Sequence, residues 1–175
     1  MLPVGYDLRF NDEESFRKLW GPHLPPDTID ELAGDIGRPG TRKRVKALRS
    51  MGIEIPFKSA WPVFIGHSLP RFHDDTRAVY PSMDALPDLC RSVLVSLVFN
   101  RGSSLKGSAR KEMRAIRDIL DRAAASGLSK QQRAMILSEV EDELISMQRL
   151  WGPGTGVSRR RQDEANLWRE GLENG

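Results

Sequence analysis

Apolar and polar positions alternate or recur along most of this chain, and the period changes from stretch to stretch. Val4, Tyr6, Leu8 and Phe10 alternate with Gly5, Asp7 and Arg9, which predicts a half-buried strand or extended arm over 1–10. Asn11 with Glu14 three residues on makes a capping box for a helix that carries Phe16, Leu19 and Trp20 on one side and stops at Gly21-Pro22. A second helix, capped by Asp27 or Thr28, buries Ile29, Leu32, Ala33 and Ile36 and exposes Asp30, Glu31 and Asp35. After a turn at Arg38-Pro39-Gly40, Val45, Leu48 and Met51 keep a spacing of three, so a third helix turns that edge to a core. Beyond Gly52, Ile53, Ile55 and Phe57 alternate with Glu54, Pro56 and Lys58, and Trp61, Val63 and Ile65 follow. Two short strands joined at Lys58-Ser59-Ala60 would make a hairpin. Pro56 and Pro62 place such strands at an edge, or make the stretch plain loop. From Gly66 to Tyr80 no period is visible, which reads as an irregular connection.

From Pro87 the pattern is helical. Leu89, Cys90, Val93, Leu94, Leu97 and Val98 make a helix apolar over most of its circumference, with a strand over Val93 to Phe99 as the competing reading. A Gly/Ser loop over Arg101 to Gly107 precedes a long helix opened by Ser108, with Met113, Ile116, Leu120 and Ala123 at spacings of three and four. Ser129 and Gln132 open another, in which Leu137, Val140, Leu144, Met147 and Trp151 recur until Gly152-Pro153. So short a link predicts an antiparallel helical hairpin. Its two seams either pack on Leu89 to Phe99 within one subunit or serve self-association. Beyond Gly154 a flexible link leads to Arg159-Arg160-Arg161 and to Ala165, Leu167, Trp168 and Leu172. The expected fold is mainly α. It comprises an N-terminal helix-turn-helix-like domain (1–66) with a short β-hairpin wing or loop, an irregular connection (67–86), a helical body with an antiparallel hairpin (87–152) and an extended, flexible C-terminal tail (153–175).

Composition narrows the classes. The 175 residues are 39% hydrophobic and 29% charged, as in a soluble globular protein, and long enough for a real core. A net charge of only +3 means that anion binding must come from local clusters. One cysteine, Cys90, excludes an internal disulfide and fits a reducing compartment. The longest apolar run, Val93 to Phe99, is far short of the roughly 20 residues that span a bilayer. Met1-Leu2-Pro3 lacks the features of a signal peptide. These observations point to a cytoplasmic protein, or a virion component if it serves a phage assembly, with no membrane partner. His67, His73, Asp74 and Asp75 are the one group with metal-ligand chemistry, but their spacing matches no metal signature and a surface loop is the better reading. No phosphate-cradling glycine loop, nucleophile elbow or Cys-x-x-Cys pair occurs, so neither an enzyme nor a cofactor is expected.

Charge changes the picture at one place. From Arg38 to Arg49 there are six cations (Arg38, Arg42, Lys43, Arg44, Lys46 and Arg49) and no carboxylate. A cationic helix after a short helix and a Gly/Pro turn has what the recognition helix of a helix-turn-helix needs. The run Arg44-Val45-Lys46-Ala47-Leu48-Arg49-Ser50-Met51-Gly52-Ile53-Glu54-Ile55 resembles the end of the recognition helix in small phage and bacterial helix-turn-helix and winged-helix domains. Glu31-Leu32-Ala33 with Ile36-Gly37 is similar to their preceding helix and its glycine turn. The resemblance covers Asp27 to Phe57 and departs at Arg38-Pro39-Gly40, where an apolar residue and a Ser/Thr are usual.

The resemblance implies contact with double-stranded DNA. Arg38, Arg42, Lys43 and Lys46 are candidates for phosphate contact, and Arg42, Lys43 and Lys46 for base edges. Arg44 and Arg49 are available for either role. In the tail, Arg159, Arg160 and Arg161 are expected to touch phosphates, and Leu167 with Trp168 to dock on a protein partner or a neighbouring subunit. The expected function is a DNA-binding homo-oligomer, either a transcriptional regulator or a small DNA-packaging subunit of the terminase type. A non-enzymatic structural or adaptor protein of an assembly is the alternative. A small inhibitor of a nucleic-acid-binding protein is the third.

Overall fold

The structure is a computed structural model that describes residues 5–175. The chain divides into two compact units, Met1–Arg71 and Phe72–Gly175. Helix dominates both, and no strand occurs among the described residues.

In the first unit, α1 (Glu13–Trp20) begins where Asp12 accepts a hydrogen bond from Ser15 N at 2.8 Å, with Glu13 and Glu14 against the positive end of the helix dipole. Asp12, one residue beyond the expected Asn11, is therefore the cap, and the Asn11 amide instead donates to Asp7 O. The helices α2 (Pro26–Ala33), α3 (Arg42–Ser50) and α4 (Phe57–Val63) follow. A π-helical turn, Phe64–Ser68, then leads into α5 (Leu69–Val79). The core of the unit is Tyr6, Leu8, Phe16, Trp20, Leu24, Ile29, Leu32, Ala60 and Val63, with the Tyr6 ring edge-on to Trp20 at 5.6 Å.

Three expectations for the chain up to residue 86 give way. The strand over 1–10 is replaced, within the described residues, by a 3-10 turn, Leu8–Phe10; Val4 lies outside them. The Asp7 carboxylate accepts from Arg9 N, a local bond that competes with an extended ladder. The hairpin wing is α4, with Pro56 as its N-cap. Phe57, Ala60 and Val63 follow a helical period there, and the missing N–H of Pro62 is followed directly by the π-turn. Over 67–86 the chain is mostly helix, because Thr76 fills a core position that an apolar count passes over. Its hydroxyl is buried and donates to Phe72 O at 2.6 Å.

The second unit holds a 3-10 segment (Pro81–Ala85), α6 (Asp88–Arg101), α7 (Lys111–Ala123), α8 (Lys130–Ser146) and α9 (Gly156–Asn174). The helix over Leu89 to Phe99 prevails over the strand. The hairpin of α7 and α8 forms as its pattern predicts, and the Ser129–Gln132 capping box is complete. One core takes Cys90, Val93, Leu94, Leu97 and Val98 from α6, and Met113, Ile116, Ile119 and Leu120 from α7. Leu137, Val140 and Leu144 come from α8, and Ala165 and Trp168 from α9. The hairpin seams are thus satisfied within the subunit.

The expected flexible tail, 153–175, is instead α9, packed against α6 and α8. Thr155 caps it, and Ser158, Arg161, Glu164 with Ala165, Trp168 and Gly171 form its buried stripe. Gly171 lets α9 approach α6 closely, since a Cβ there would lie 2.8 Å from Cys90 Sγ.

Candidate nucleic-acid interface

The local chemistry of α3 fixes both of its ends. Thr41 accepts from Arg44 N at 3.1 Å as the N-cap. At the other end Gly52 adopts φ +73°, a left-handed conformation that a side chain would strain. Ile53 N then donates to Leu48 O and Gly52 N to Arg49 O, both at 3.0 Å, a Schellman closure with Leu48 and Ile53 as its apolar pair. Both pack half-buried against the core of the first unit.

The phase of α3 differs from that expected. No residue of the helix is fully buried. Val45, assigned to the core by spacing, is 47% exposed, and Met51 is 55% exposed. Arg44, Ala47 and Leu48 are the half-buried members. The reason is that α3 lies on the edge of its unit, anchored by its C-terminal cap and by one arginine.

That arginine is Arg44. Its Nε reaches both oxygens of Asp35, at 2.8 and 2.9 Å, and Nη2 reaches Glu31 Oε1 at 2.7 Å and Glu31 O at 3.2 Å. These hydrogen bonds, Glu31 first and then Asp35, hold the guanidinium above its ordinary pKa. Arg44 therefore ties α3 to α2 and the turn after it, which removes it from the set free to bind a ligand. Glu31 and Asp35 were missed as its partners, although their i, i+4 placement places both on one side of the preceding chain.

The other cations of the run remain available. Arg38, Arg42, Lys43, Lys46 and Arg49 are exposed, and no ion pair engages them among the described residues. A shallow groove is lined by Gly40, Thr41, Arg42, Val45, Lys46 and Arg49, four of which recur at the i, i+3, i+4, i+7 spacing of one helix face. Arg42, Lys43 and Arg44 also occupy the first turn of α3, where no acid is present. Cations at that end oppose the helix dipole, at about 0.3–1 kcal/mol each at low salt. An anion bound there would relieve this.

The C-terminal candidates separate. Arg159 and Arg160 are exposed on α9, but Arg161 is fully buried. Its Nη2 lies 2.7 Å from Glu164 Oε1, and its guanidinium carbon lies 6.0 Å from the Trp151 ring centroid. Glu164 also accepts from Ser96 Oγ at 2.6 Å, while burial pushes its carboxyl pKa upward. Trp168 is fully buried and donates its indole N–H to Leu137 O at 2.8 Å. Trp168 thus serves its own subunit and Arg161 an internal ion pair, which removes both from the surface; Leu167 remains 41% exposed. Among the described residues no group of three His, Cys, Asp or Glu side chains converges as metal ligands would. Burial pushes the Cys90 thiol up to about 11, and among the described residues no helix is long and apolar enough to cross a membrane.

Among the described residues, α3 and the turn before it thus present five exposed cations that no ion pair engages. Comparison with protein families, characterised proteins and solved structures finds no match for the chain.

Proposed function

We propose that this protein binds double-stranded DNA through α3 and its preceding turn, without catalysis. The observation that carries this reading is the exposed, acid-free face of α3, whose Arg42, Lys46 and Arg49 flank Val45. Arginine and lysine at this spacing suit phosphates and the acceptor edges of guanine, and a small apolar side chain among them suits a thymine methyl group. Arg38 and Lys43, exposed beside the groove, are placed to add phosphate contacts. Arg44 is the positioning residue, since its three-way contact sets the rotation of α3 against α2. The link from Gly34 to Thr41 is longer than the three- or four-residue turn of a helix-turn-helix, so the reading rests on the charge of α3 rather than on that motif.

The experiment is titration of a labelled random duplex of about 20 base pairs at low salt, near 50 mM. The native chain is compared with Arg42→Ala/Lys46→Ala, and circular dichroism verifies the fold. The double variant is expected to bind at least about tenfold more weakly. Equal affinity in a folded variant contradicts the role of α3.

A further inference from the structure

One exposed surface of the first unit lies off α3 and is apolar rather than cationic. Phe57, Trp61, Ile65 and Leu69 recur every four residues from α4 through the π-turn into α5, and they are 68%, 44%, 48% and 40% exposed. The Phe57 and Trp61 rings lie 5.3 Å apart, which keeps the stripe continuous. Pro62, Gly66 and Pro70 lie on the same exposed edge. From Ile55 to His73 the sequence has no carboxylate, and Lys58 and Arg71 mark the two ends of the stripe. A contiguous apolar patch of this kind has the size of the largest patch on a typical monomer, which is often a functional surface.

We infer that this stripe pairs with the same stripe of a second copy of the chain, antiparallel about a two-fold axis between Trp61 and Ile65. That axis sets Trp61 of each copy against Ile65 of the other, and Phe57 against Leu69, so every large side chain meets an apolar counterpart. The four side chains expose about 400 Å² per copy, taking roughly 150–250 Å² for each when free. Two copies would therefore bury about 800 Å² from these alone, and the Pro62, Gly66 and Pro70 edge extends the contact toward the roughly 1,000 Å² of a specific interface. Rows spaced by four residues interlock with their own kind in helix packing, and Gly66 lets the two backbones approach. The axis brings Lys58 of each copy to the end of the stripe where Arg71 of the other lies, so both cations must stay in water at the rim, apart from one another. An acidic amphipathic helix or an anionic bilayer would engage those two cations, but neither offers the matched set of pairs. The pairing does not depend on DNA binding. Where both hold, one dimer carries two α3 helices, as two-fold related half-sites require.

The test is the mass of the full chain in solution across about 1–100 μM, with two kinds of variant. The native chain is expected to associate to a dimer. Phe57→Glu/Ile65→Glu is expected to be monomeric over the same range with unchanged helix content. Because Cys90 is buried, Ile65→Cys provides the one reactive thiol near the axis and is expected to oxidise to a covalent dimer. Leu69→Cys, which lies about 18 Å along the axis from its own copy, is expected not to. A native chain that stays monomeric, a Glu variant that stays dimeric, or efficient cross-linking through Leu69→Cys each overturns the pairing. A monomer that pellets with phosphatidylglycerol vesicles through Phe57 and Trp61 overturns it in favour of a lipid surface.

Discussion

Removing the indole of Trp168 probes the strongest departure of the structure from the sequence reading. Trp168 is fully buried on α9, its N–H donates to Leu137 O on α8, and its own carbonyl lies 3.5 Å from the Cys90 thiol on α6. Trp168→Ala would open a cavity at the junction of three helices and delete one buried hydrogen bond. Large-to-small changes at such sites cost about 3–5 kcal/mol. In a unit of about 100 residues each kcal/mol shifts the midpoint by some 4–8 °C, so the melt of the second unit should fall by at least about 12 °C. Trp168→Phe retains most of the volume and loses the N–H bond, at about 0.5–1.5 kcal/mol for the bond itself. Leu167→Ala, its exposed neighbour, should stay within about 0.5 kcal/mol. Thermal melts followed by circular dichroism on the three variants give the ranking. Equal, small losses for Trp168→Ala and Leu167→Ala would refute the packing of α9 and return Trp168 to intermolecular docking.

Three further outcomes follow from the same contacts. Gly171→Ala should destabilise the second unit by about 1–3 kcal/mol, because its Cβ would meet Cys90 Sγ and Leu89 Cβ; chemical denaturation measures it. On α3, half-buried Leu48→Ala should cost about 1–2 kcal/mol and exposed Val45→Ala less than about 0.5, by the same denaturation assay. Equal costs would mean that the helix sits in the phase its spacing first suggests. Cys90 should resist a thiol reagent at pH 8 in the folded chain and react only in denaturant. Since the folded thiol titrates near 11 and the ordinary value is 9.0, the Cys90 contribution to stability should be lost as pH rises through that interval.

The sequence was most legible where local chemistry and apolar period agree. The Ser129 capping box, the Gly21-Pro22 stop and the paired seams of α7 and α8 form as read, because each is set within one or two helical turns. By contrast, α8 already ends at Ser146, and a 3-10 turn, Met147–Leu150, carries the chain to Gly152-Pro153. Where a polar residue occupies a core position the period fades. Thr76 hid α5, and Arg161 with Glu164 hid α9, since each is buried only where a hydrogen-bond partner satisfies it: Phe72 O one turn back for Thr76, Glu164 for Arg161, and Ser96 on α6 for Glu164. Prolines misled at α4, where Pro56 begins a helix and Pro62 is tolerated inside one. At the candidate interface the charge of α3 was plain, but its rotation was not. That rotation depends on Arg44 reaching Glu31 and Asp35, thirteen and nine residues back, a pairing that no local pattern encodes.

DNA binding by α3 is tested most directly by the salt dependence of duplex affinity. Counterion release predicts a straight line of log affinity against log salt, with a slope of about −0.9 for each phosphate neutralised. If the five exposed cations Arg38, Arg42, Lys43, Lys46 and Arg49 all engage phosphates, the native slope for each copy bound should lie near −4 to −5. Replacing Arg42, Lys46 and Arg49 with alanine should flatten it to about −2, while Arg159→Ala/Arg160→Ala should leave it unchanged. A native slope near zero, or one that the three α3 substitutions do not alter in a folded chain, would contradict DNA binding through α3.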